Sequence, residues 1–350
     1  MRRDRIDVAS EGVDNLGALC DYPGLRELRV RLTTPHGSAE HSFGSLEPVR
    51  GLRELEVLEV ARSQVRDLQP LADLGKLRRL DVSRTWVADL APLRGLTRLA
   101  SLKLAGTLVE DLSPLRGLKE LAELDLRDTE VRDLAPVAGL PAVREAVELD
   151  LSGTRLRSFA GLERSSRLRS LRAVGVPVED LWALRGLEQL ESLRLGGTRV
   201  RDLSPLAGLG SLWALALSGT AVADLTPVAS LAGLTELNLA RTPVADLGPL
   251  AGLSGLEQLE LGETPVADVT PLADLGSLLE LQLQGTRVED VRPLAELGQL
   301  QGLNLARTPV RDVAPLAALG DLDWIDLSGT SVSDDSLTEL WRRRPKLRVL

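Results

Sequence analysis

The sequence predicts an α/β solenoid, with short parallel strands on one side and tight helical turns on the other. Three observations support this fold class. A segment of 22 residues recurs along almost the whole 350-residue chain. Its first half alternates apolar and polar residues, and its second half places an apolar residue at every third position. A single segment cannot bury its own apolar residues, so stacked copies are needed to form a core.

The strand is predicted from the first half of each segment, for which LTELNLARTPVADLGPLAGLSG at 234–255 is representative. Leu237 and Leu239 alternate with Glu236 and Asn238, which is the period of a strand that buries one face. Each strand is expected to pair in parallel with the strand of the next segment, giving a curved sheet.

The helical turn is predicted from the second half of the segment. Asp246 stands just before it, where a carboxylate can accept unpaired backbone N–H groups, and Pro249 lies in the first turn, where its missing N–H costs nothing. Spacing by three is typical of a 3₁₀-helix with one apolar stripe. The stripe consists of Leu247, Leu250, Leu253 and Leu256.

A column of threonines gives the register of the segments. Each hydroxyl is expected to bond a backbone group of its turn. Ser63 and Val176 fill two further slots of the column, and three extra residues separate Thr129 from Thr154. The column contains Thr85, Thr107, Thr129, Thr154, Thr198, Thr220, Thr242, Thr264, Thr286, Thr308 and Thr330.

The segment resembles the leucine-rich repeat family, because LTELNLARTPVADLGPL at 234–250 meets the pattern LxxLxxLxLxxNxIxDLxPL of its bacterial 22-residue internalin class. A regulatory subunit of protein phosphatase belongs to a similar class of this family. The resemblance implies a leucine-rich repeat horseshoe with a parallel concave β-sheet and 3₁₀ or short helical turns on the convex side. This chain has Thr where the family has Asn, so the buried ladder is expected to run through hydroxyl groups.

We predict one elongated domain over residues 1–350. Residues 1–50 are atypical N-terminal repeats interrupted by a polar loop at 34–44, residues 51–330 are regular repeats, and residues 331–350 form a C-terminal helical cap. In the cap, Leu337, Leu340 and Trp341 are predicted to share one helix face. Ile6 and Val8 fall on strand positions, so an upstream domain or a partner is expected to cover the N-terminal edge.

The composition favours a cytoplasmic bacterial protein. Cys20 is the single cysteine, which excludes an intramolecular disulfide, and the N-terminal residues lack the apolar run of a secretory signal. The net charge of -9 argues against nucleic acid, and no stretch is long enough to span a membrane. Arginine greatly outnumbers lysine, as in GC-rich bacterial genes. Much of the acidity comes from a capping column of Asp67, Asp89, Asp111, Asp133, Asp180, Asp202, Asp224, Asp246, Asp268, Asp290, Asp312 and Asp334.

The sequence predicts no enzyme, no cofactor and no metal. It has no phosphate-binding glycine loop, no paired CxxC and no HExxH. His36 and His41 lie in the polar loop beside Glu40, which leaves a weak metal site as the alternative to a solvated loop. The capping column could be interpreted as calcium or acid–base sites, but its fixed place before each turn favours helix capping.

Function is predicted to lie in the outward-facing strand residues, which the core does not need. They suggest an acidic patch over two neighbouring strands, a basic patch after it, and an exposed indole beside Gly302; the alternative is a solvated sheet with random charge. The candidate partner-binding residues are Glu123, Asp125, Glu148 and Asp150 in the acidic patch, Arg155, Arg172, Arg194 and Arg199 in the basic patch, and Trp324 and Asp326 near the C-terminal end.

Two functions remain open. The first is a non-enzymatic recognition module or scaffold that binds another protein through the concave face. The alternative is a secreted or surface adhesin of the internalin type. Trp86 and Leu108 form a small apolar patch at the edge of the predicted sheet, or they cover a neighbouring turn. Trp182 and Trp213 are expected to pack against the scaffold.

Overall fold

The computed structural model describes residues 4–10, 16–32 and 43–350, which fall into two compact units at residues 1–168 and 169–350. The sequence predicts one domain, and the same 22-residue repeat continues through both units. Most of the loop predicted at 34–44 lies outside the described residues, namely residues 34–42, which include His36 and His41.

In unit 1, six strands form a parallel sheet in chain order. Ile6 lies opposite Leu28 and Val8 opposite Val30, so the strand predicted around Ile6 and Val8 is confirmed. The strands of this unit are β1 (Arg5–Ser10), β2 (Glu27–Leu32), β3 (Val57–Glu59), β4 (Arg79–Asp81), β5 (Ser101–Lys103), β6 (Glu123–Asp125) and β7 (Glu148–Asp150).

The sheet of unit 1 ends at β6, and β7 is not paired with it. The three extra residues of the sequence lie here, next to helix α1 (Pro141–Arg144). Leu124 and Leu149, the central residues of β6 and β7, are half-buried, whereas the central residue of every other three-residue strand described is buried. The two repeats stay joined beyond the strands, where the Asp128 N–H donates to the Ser152 carbonyl at 2.9 Å.

In unit 2, nine strands form a parallel sheet with no shift in register. They are β8 (Ser170–Arg172), β9 (Ser192–Arg194), β10 (Ala214–Ala216), β11 (Glu236–Asn238), β12 (Gln258–Glu260), β13 (Glu280–Gln282), β14 (Gly302–Asn304), β15 (Trp324–Asp326) and β16 (Arg348–Val349).

Between the strands run the predicted 3₁₀-helices, most of them with a proline in the first turn. Those of unit 1 are Gly17–Asp21, Glu47–Val49, Gln69–Leu71, Ala91–Leu93 and Ser113–Gly117. Those of unit 2 are Trp182–Leu184, Ser204–Leu206, Thr226–Ser230, Gly248–Leu250, Thr270–Leu272, Arg292–Glu296 and Ala314–Ala318.

The capping column acts as predicted in eleven of its twelve positions. In each, a carboxylate oxygen accepts the backbone N–H two residues further on, as Asp246 does from Gly248 at 2.8 Å. The prediction is wrong for Asp334, which is the first residue of helix α2 (Asp334–Arg343), because Ser333 caps that helix by accepting the Ser336 N–H.

Each threonine of the column is tied to its own repeat. The Thr242 hydroxyl donates to the Leu239 carbonyl at 2.6 Å, and the Thr242 N–H donates to the same oxygen at 3.2 Å. The same hydroxyl bond recurs down the column, including at Ser63. These bonds close turns within repeats, so the hydroxyls do not link one repeat to the next.

Helix α2 covers the end of unit 2. Leu340 is buried, and the Ser336 hydroxyl accepts the Val313 N–H at 2.7 Å and donates to Asp312 at 2.8 Å. Arg344 donates to the carbonyls of Leu319 and Leu322. The apolar face of the helix is narrower than predicted, because the Trp341 side chain is exposed. Among the described residues, neither this helix nor any other is both long and apolar enough to cross a bilayer.

Candidate functional site: the strand face

The first and third residues of the short strands form a surface that we call the strand face of each unit. The predicted outward residues coincide with these positions in every strand from β3 to β15. Leu237, for example, is buried between the half-buried Glu236 and Asn238, so period-two alternation decides which side chains reach this face. Val57, Ser101, Ala214 and Gly302 are at strand-face positions but are buried by their neighbours.

The predicted acidic patch lies in unit 1, on strands that are not paired. Glu123 and Asp125 are on β6 and Glu148 and Asp150 on β7, so the prediction that the patch lies on neighbouring strands of one sheet is wrong. Burial works against ionisation of Asp125, but hydrogen bonds from Arg127, including one of 2.6 Å, outweigh it and lower the pKa of Asp125.

The predicted basic patch is divided between the two units. Arg172 and Arg194 occupy matching third positions on β8 and β9 in unit 2. Arg199 lies in the turn that follows β9, with its guanidinium 3.6 Å from the Glu179 carboxylate. Arg155 belongs to unit 1, where its Nε is 3.1 Å from a Glu130 carboxylate oxygen. The structure therefore brings Arg172 and Arg194 together, and it pairs Arg155 and Arg199 with carboxylates.

Trp324 is half-buried, whereas its indole was predicted to be exposed. The ring lies directly over Gly302, where an added Cβ would come within 2.6 Å of the indole nitrogen. The indole N–H donates a hydrogen bond to Glu280; burial raises the pKa of Glu280, and this hydrogen bond opposes the rise. The Asp326 carboxylate accepts the Ser328 N–H at 2.9 Å, which closes the turn after β15.

A hollow of about 240 Å³ opens on the strand face of unit 2 above β10. It exists because Ala214 and Ala216, the first and third residues of β10, are both small. The sequence places both alanines on this face, and two small outward residues in one strand are the signal that sequence reasoning missed. The hollow is lined by Arg194, Ala214, Leu215, Ala216, Glu236, Leu237, Asn238, Gln258 and Glu260.

Several of the large apolar side chains that the structure describes are exposed outside the strand face. Trp86 and Leu108 are exposed at the predicted edge patch, with the Arg66 guanidinium 5.6 Å from the centre of the Trp86 ring. Trp182 and Trp213 are 51% and 41% exposed, so the expectation that they pack against the scaffold is wrong. Arg185 lies 5.5 Å from the Trp182 ring centre, at a distance typical of a cation–π contact.

Short parallel strands in register, buried leucines at fixed spacing and capped 3₁₀ turns define a leucine-rich repeat solenoid. Solved structures share this fold. A leucine-rich repeat protein of Leptospira interrogans, LIC12759, superposes with a TM-score of 0.78 at 16% identity, covering 99% of this chain and 95% of that one. An internalin of Listeria monocytogenes, InlF, gives a TM-score of 0.65 at 27% identity, covering 88% and 84%.

The chain thus has the leucine-rich repeat fold and is structurally similar to a bacterial internalin. The plant peptide hormone receptor RGFR1, solved in complex with RGF2, has the same fold, with a TM-score of 0.64 at 16% identity over 98% of this chain and 58% of that one. No protein-family model matches the sequence. No curated protein matches it either.

Proposed function

We propose that this protein is a non-enzymatic recognition module that binds another protein through its strand face. One observation carries the proposal: the strand-face residues vary from repeat to repeat, while the central strand residues are nearly all leucine. The core fixes the leucines, because they are buried, and leaves the residues on either side free to serve recognition. The peptide complex of RGFR1 shows a protein of this fold bound to a peptide.

Arg172 and Arg194 are the first residues we propose for contact with the partner. They lie side by side in register on β8 and β9, and two guanidinium groups in this arrangement favour carboxylates of an acidic partner.

We also propose that the repeat of this chain is a variant of the internalin-class repeat in which Thr replaces Asn. The Thr hydroxyls donate hydrogen bonds to backbone carbonyls of their own turns.

The test is affinity capture from a lysate of the source organism with wild-type protein and an Arg172→Glu, Arg194→Glu variant. Loss of a captured protein is expected, with the melting temperature nearly unchanged because exposed residues contribute little to stability. An Arg201→Glu, Arg287→Glu variant is the matched control, since both arginines are exposed in turns of the same unit. The captured protein is then purified and its affinity for the three proteins measured.

Retention of the same proteins by the Arg172→Glu, Arg194→Glu variant would contradict this assignment. Equal losses with the control variant would also contradict it, because the effect would then follow from net charge and not from the strand face.

A second candidate function is a secreted or surface adhesin of the internalin type, which the 27% identity to InlF favours. We propose a cytoplasmic location instead, supported by the single cysteine of the chain. Fractionation of the producing organism distinguishes the two. Protein found only in the cytosol rejects the adhesin, and protein on the cell surface or in the medium rejects the cytoplasmic location.

A further inference from the structure

The hollow above β10 is as wide as the space that long side chains on this strand would fill. Ala214 and Ala216 lack long side chains, while Arg194 on β9 and Asn238 on β11 retain theirs in the same register. Adjacent strands are about 4.8 Å apart, so β9 and β11 are separated by roughly 10 Å. After allowance for the flanking side chains, this opening admits one planar side chain placed on edge above the two alanine methyl groups.

The two walls of the hollow carry opposite charge. Arg194 stands on one side, and Glu236 and Glu260 stand on the other. Asn238 lies between these carboxylates, and its two amide atoms are occupied. Its oxygen accepts the Ala240 N–H at 3.0 Å, and its nitrogen donates to Glu260. The second wall therefore offers two carboxylates as acceptors, and the Asn238 amide holds that of Glu260.

This arrangement discriminates between classes of side chain. An acidic side chain would contact Arg194 but would be repelled by Glu236 and Glu260. A basic side chain would contact Glu236 and Glu260 but would be repelled by Arg194. An aliphatic side chain would desolvate these charges and give them no partner. A phenol suits both walls, because its ring face attracts a guanidinium and its hydroxyl donates to a carboxylate.

We propose that the hollow binds a tyrosine side chain of the partner protein, a proposal that rests on the function proposed above. The ring lies over Ala214 and Ala216, one ring face meets Arg194, and the hydroxyl donates to Glu236 or Glu260. Buried aromatic anchors of this kind dominate many interfaces.

The probe for the test is N-acetyl-L-tyrosinamide, titrated into protein labelled with ¹³C at alanine methyl groups. The methyl signals of Ala214 and Ala216 are expected to shift with a millimolar dissociation constant. N-acetyl-L-phenylalaninamide is expected to bind several-fold more weakly, because it lacks the hydroxyl. The corresponding lysine and glutamate amides are expected to leave both signals unchanged.

Filling the hollow provides the first control. Ala214→Gln and Ala216→Gln are made as single variants, and the alanine methyl that remains in each is expected to show no shift. The scaffold accommodates them because Gln258 and Gln282 occupy the same columns. Ser170→Gln adds the same side chain at the first position of β8, outside the hollow, and is expected to leave tyrosinamide binding unchanged.

The hydroxyl contact has its own variant. A Glu236→Ala, Glu260→Ala double variant, which removes both acceptors, is expected to bind tyrosinamide and phenylalaninamide with nearly equal affinity. A loss of stability alone would not change that ratio, so the ratio reports on the carboxylates.

Three results would overturn the proposal: no shift of either alanine methyl, binding that persists in Ala214→Gln and Ala216→Gln, or equal binding of the lysine or glutamate amide. These outcomes are separate from those of the capture experiment. If capture depends on Arg172 and Arg194 but tyrosinamide does not bind, the strand face recognises a partner and the tyrosine assignment is wrong.

Discussion

At the scale of single residues, the Thr column is the clearest case of a side chain that serves its own repeat. The Leu239 carbonyl accepts two hydrogen bonds from Thr242, one from the hydroxyl at 2.6 Å and one from the N–H at 3.2 Å. Removing the hydroxyl leaves that carbonyl with one donor. The cost should therefore be that of a typical hydrogen bond plus a lost methyl group, and not that of an unpaired buried carbonyl.

We predict that Thr242→Ala lowers the free energy of unfolding by roughly 1–2 kcal/mol. Thr242→Ser is the control, because Ser63 occupies the equivalent slot and its hydroxyl donates to Val60 at 2.7 Å. The serine variant is expected to retain most of the stability. Urea unfolding followed by circular dichroism measures both variants. If the two lose equal stability, the hydroxyl bond contributes nothing and the methyl group accounts for the effect.

Trp324 shows where sequence reasoning about a residue stops. Its strand-face position is predicted correctly from the two-residue period. Its burial is not, because it depends on Gly302 and Glu280, which lie one and two repeats earlier in the chain. Trp182 and Trp213 show the opposite error, since each was expected to pack and is exposed. The repeat pattern determines the strand position of a side chain, and contacts with neighbouring side chains determine how far it is buried.

At the scale of elements, the break between β6 and β7 follows from three extra residues. The sequence locates this insertion correctly, but a count of residues cannot tell whether the chain absorbs them in a loop or separates the strands. Here α1 takes up part of the insertion, and Leu124 and Leu149 become half-buried. The predicted acidic patch depended on paired strands, so it was the part of the predicted site most sensitive to this change.

Helix α2 provides a prediction for an element. Leu340→Ala is expected to cost about 2–5 kcal/mol, because its side chain is completely buried against the last repeat. Trp341→Ala, one residue further on, is the matched control and is expected to change stability by about 0.5 kcal/mol or less, because its side chain is exposed. Chemical unfolding of both variants tests this. A larger loss for Trp341→Ala would mean that the part of the helix surface around Trp341 also packs on the repeat.

At the scale of the whole molecule, the capping column links stability to pH. Side-chain hydrogen bonds from Ser or Thr two residues on, followed by backbone N–H groups, lower the pKa of Asp111, Asp202, Asp224 and Asp268. Arg292 lowers the pKa of Asp290 to about 2. A carboxylate whose pKa is lower in the folded state stabilises the fold above its unfolded pKa. That stabilisation is lost as pH falls through the folded pKa.

We therefore predict that the melting temperature falls steeply as pH drops from about 4 towards 2. Circular dichroism melts across this range measure the fall. In a variant with Asn at Asp111, Asp202, Asp224 and Asp268, the amide oxygens still accept the backbone N–H groups but do not titrate. Its melting temperature is expected to be lower at neutral pH and to fall less in acid. A decline as steep as that of the wild type would show that other carboxylates control acid unfolding.

The fold of this protein is predictable from its sequence to a much greater degree than its candidate site. Capping aspartates and first-turn prolines act within a few residues of chain, and the buried leucines recur at a fixed spacing; the structure reproduces all three. The hollow above β10 depends on what four adjacent repeats place beside one another. The alanines at 214 and 216 form a hollow only because the longer side chains of Arg194 and Asn238 flank them. In a repeat-by-repeat comparison of the sequence, they look like ordinary variation.

The local character of these hydrogen bonds has an evolutionary consequence. The Thr242 hydroxyl and the Asp246 carboxylate each find their partner within three residues, so one 22-residue segment contains all the side-chain pairing that its turn requires. Unequal recombination that deletes or duplicates one segment leaves no orphaned turn, and it moves every later strand-face residue by one strand. Lineages can therefore change the order of side chains on this surface by altering copy number, without a single point mutation.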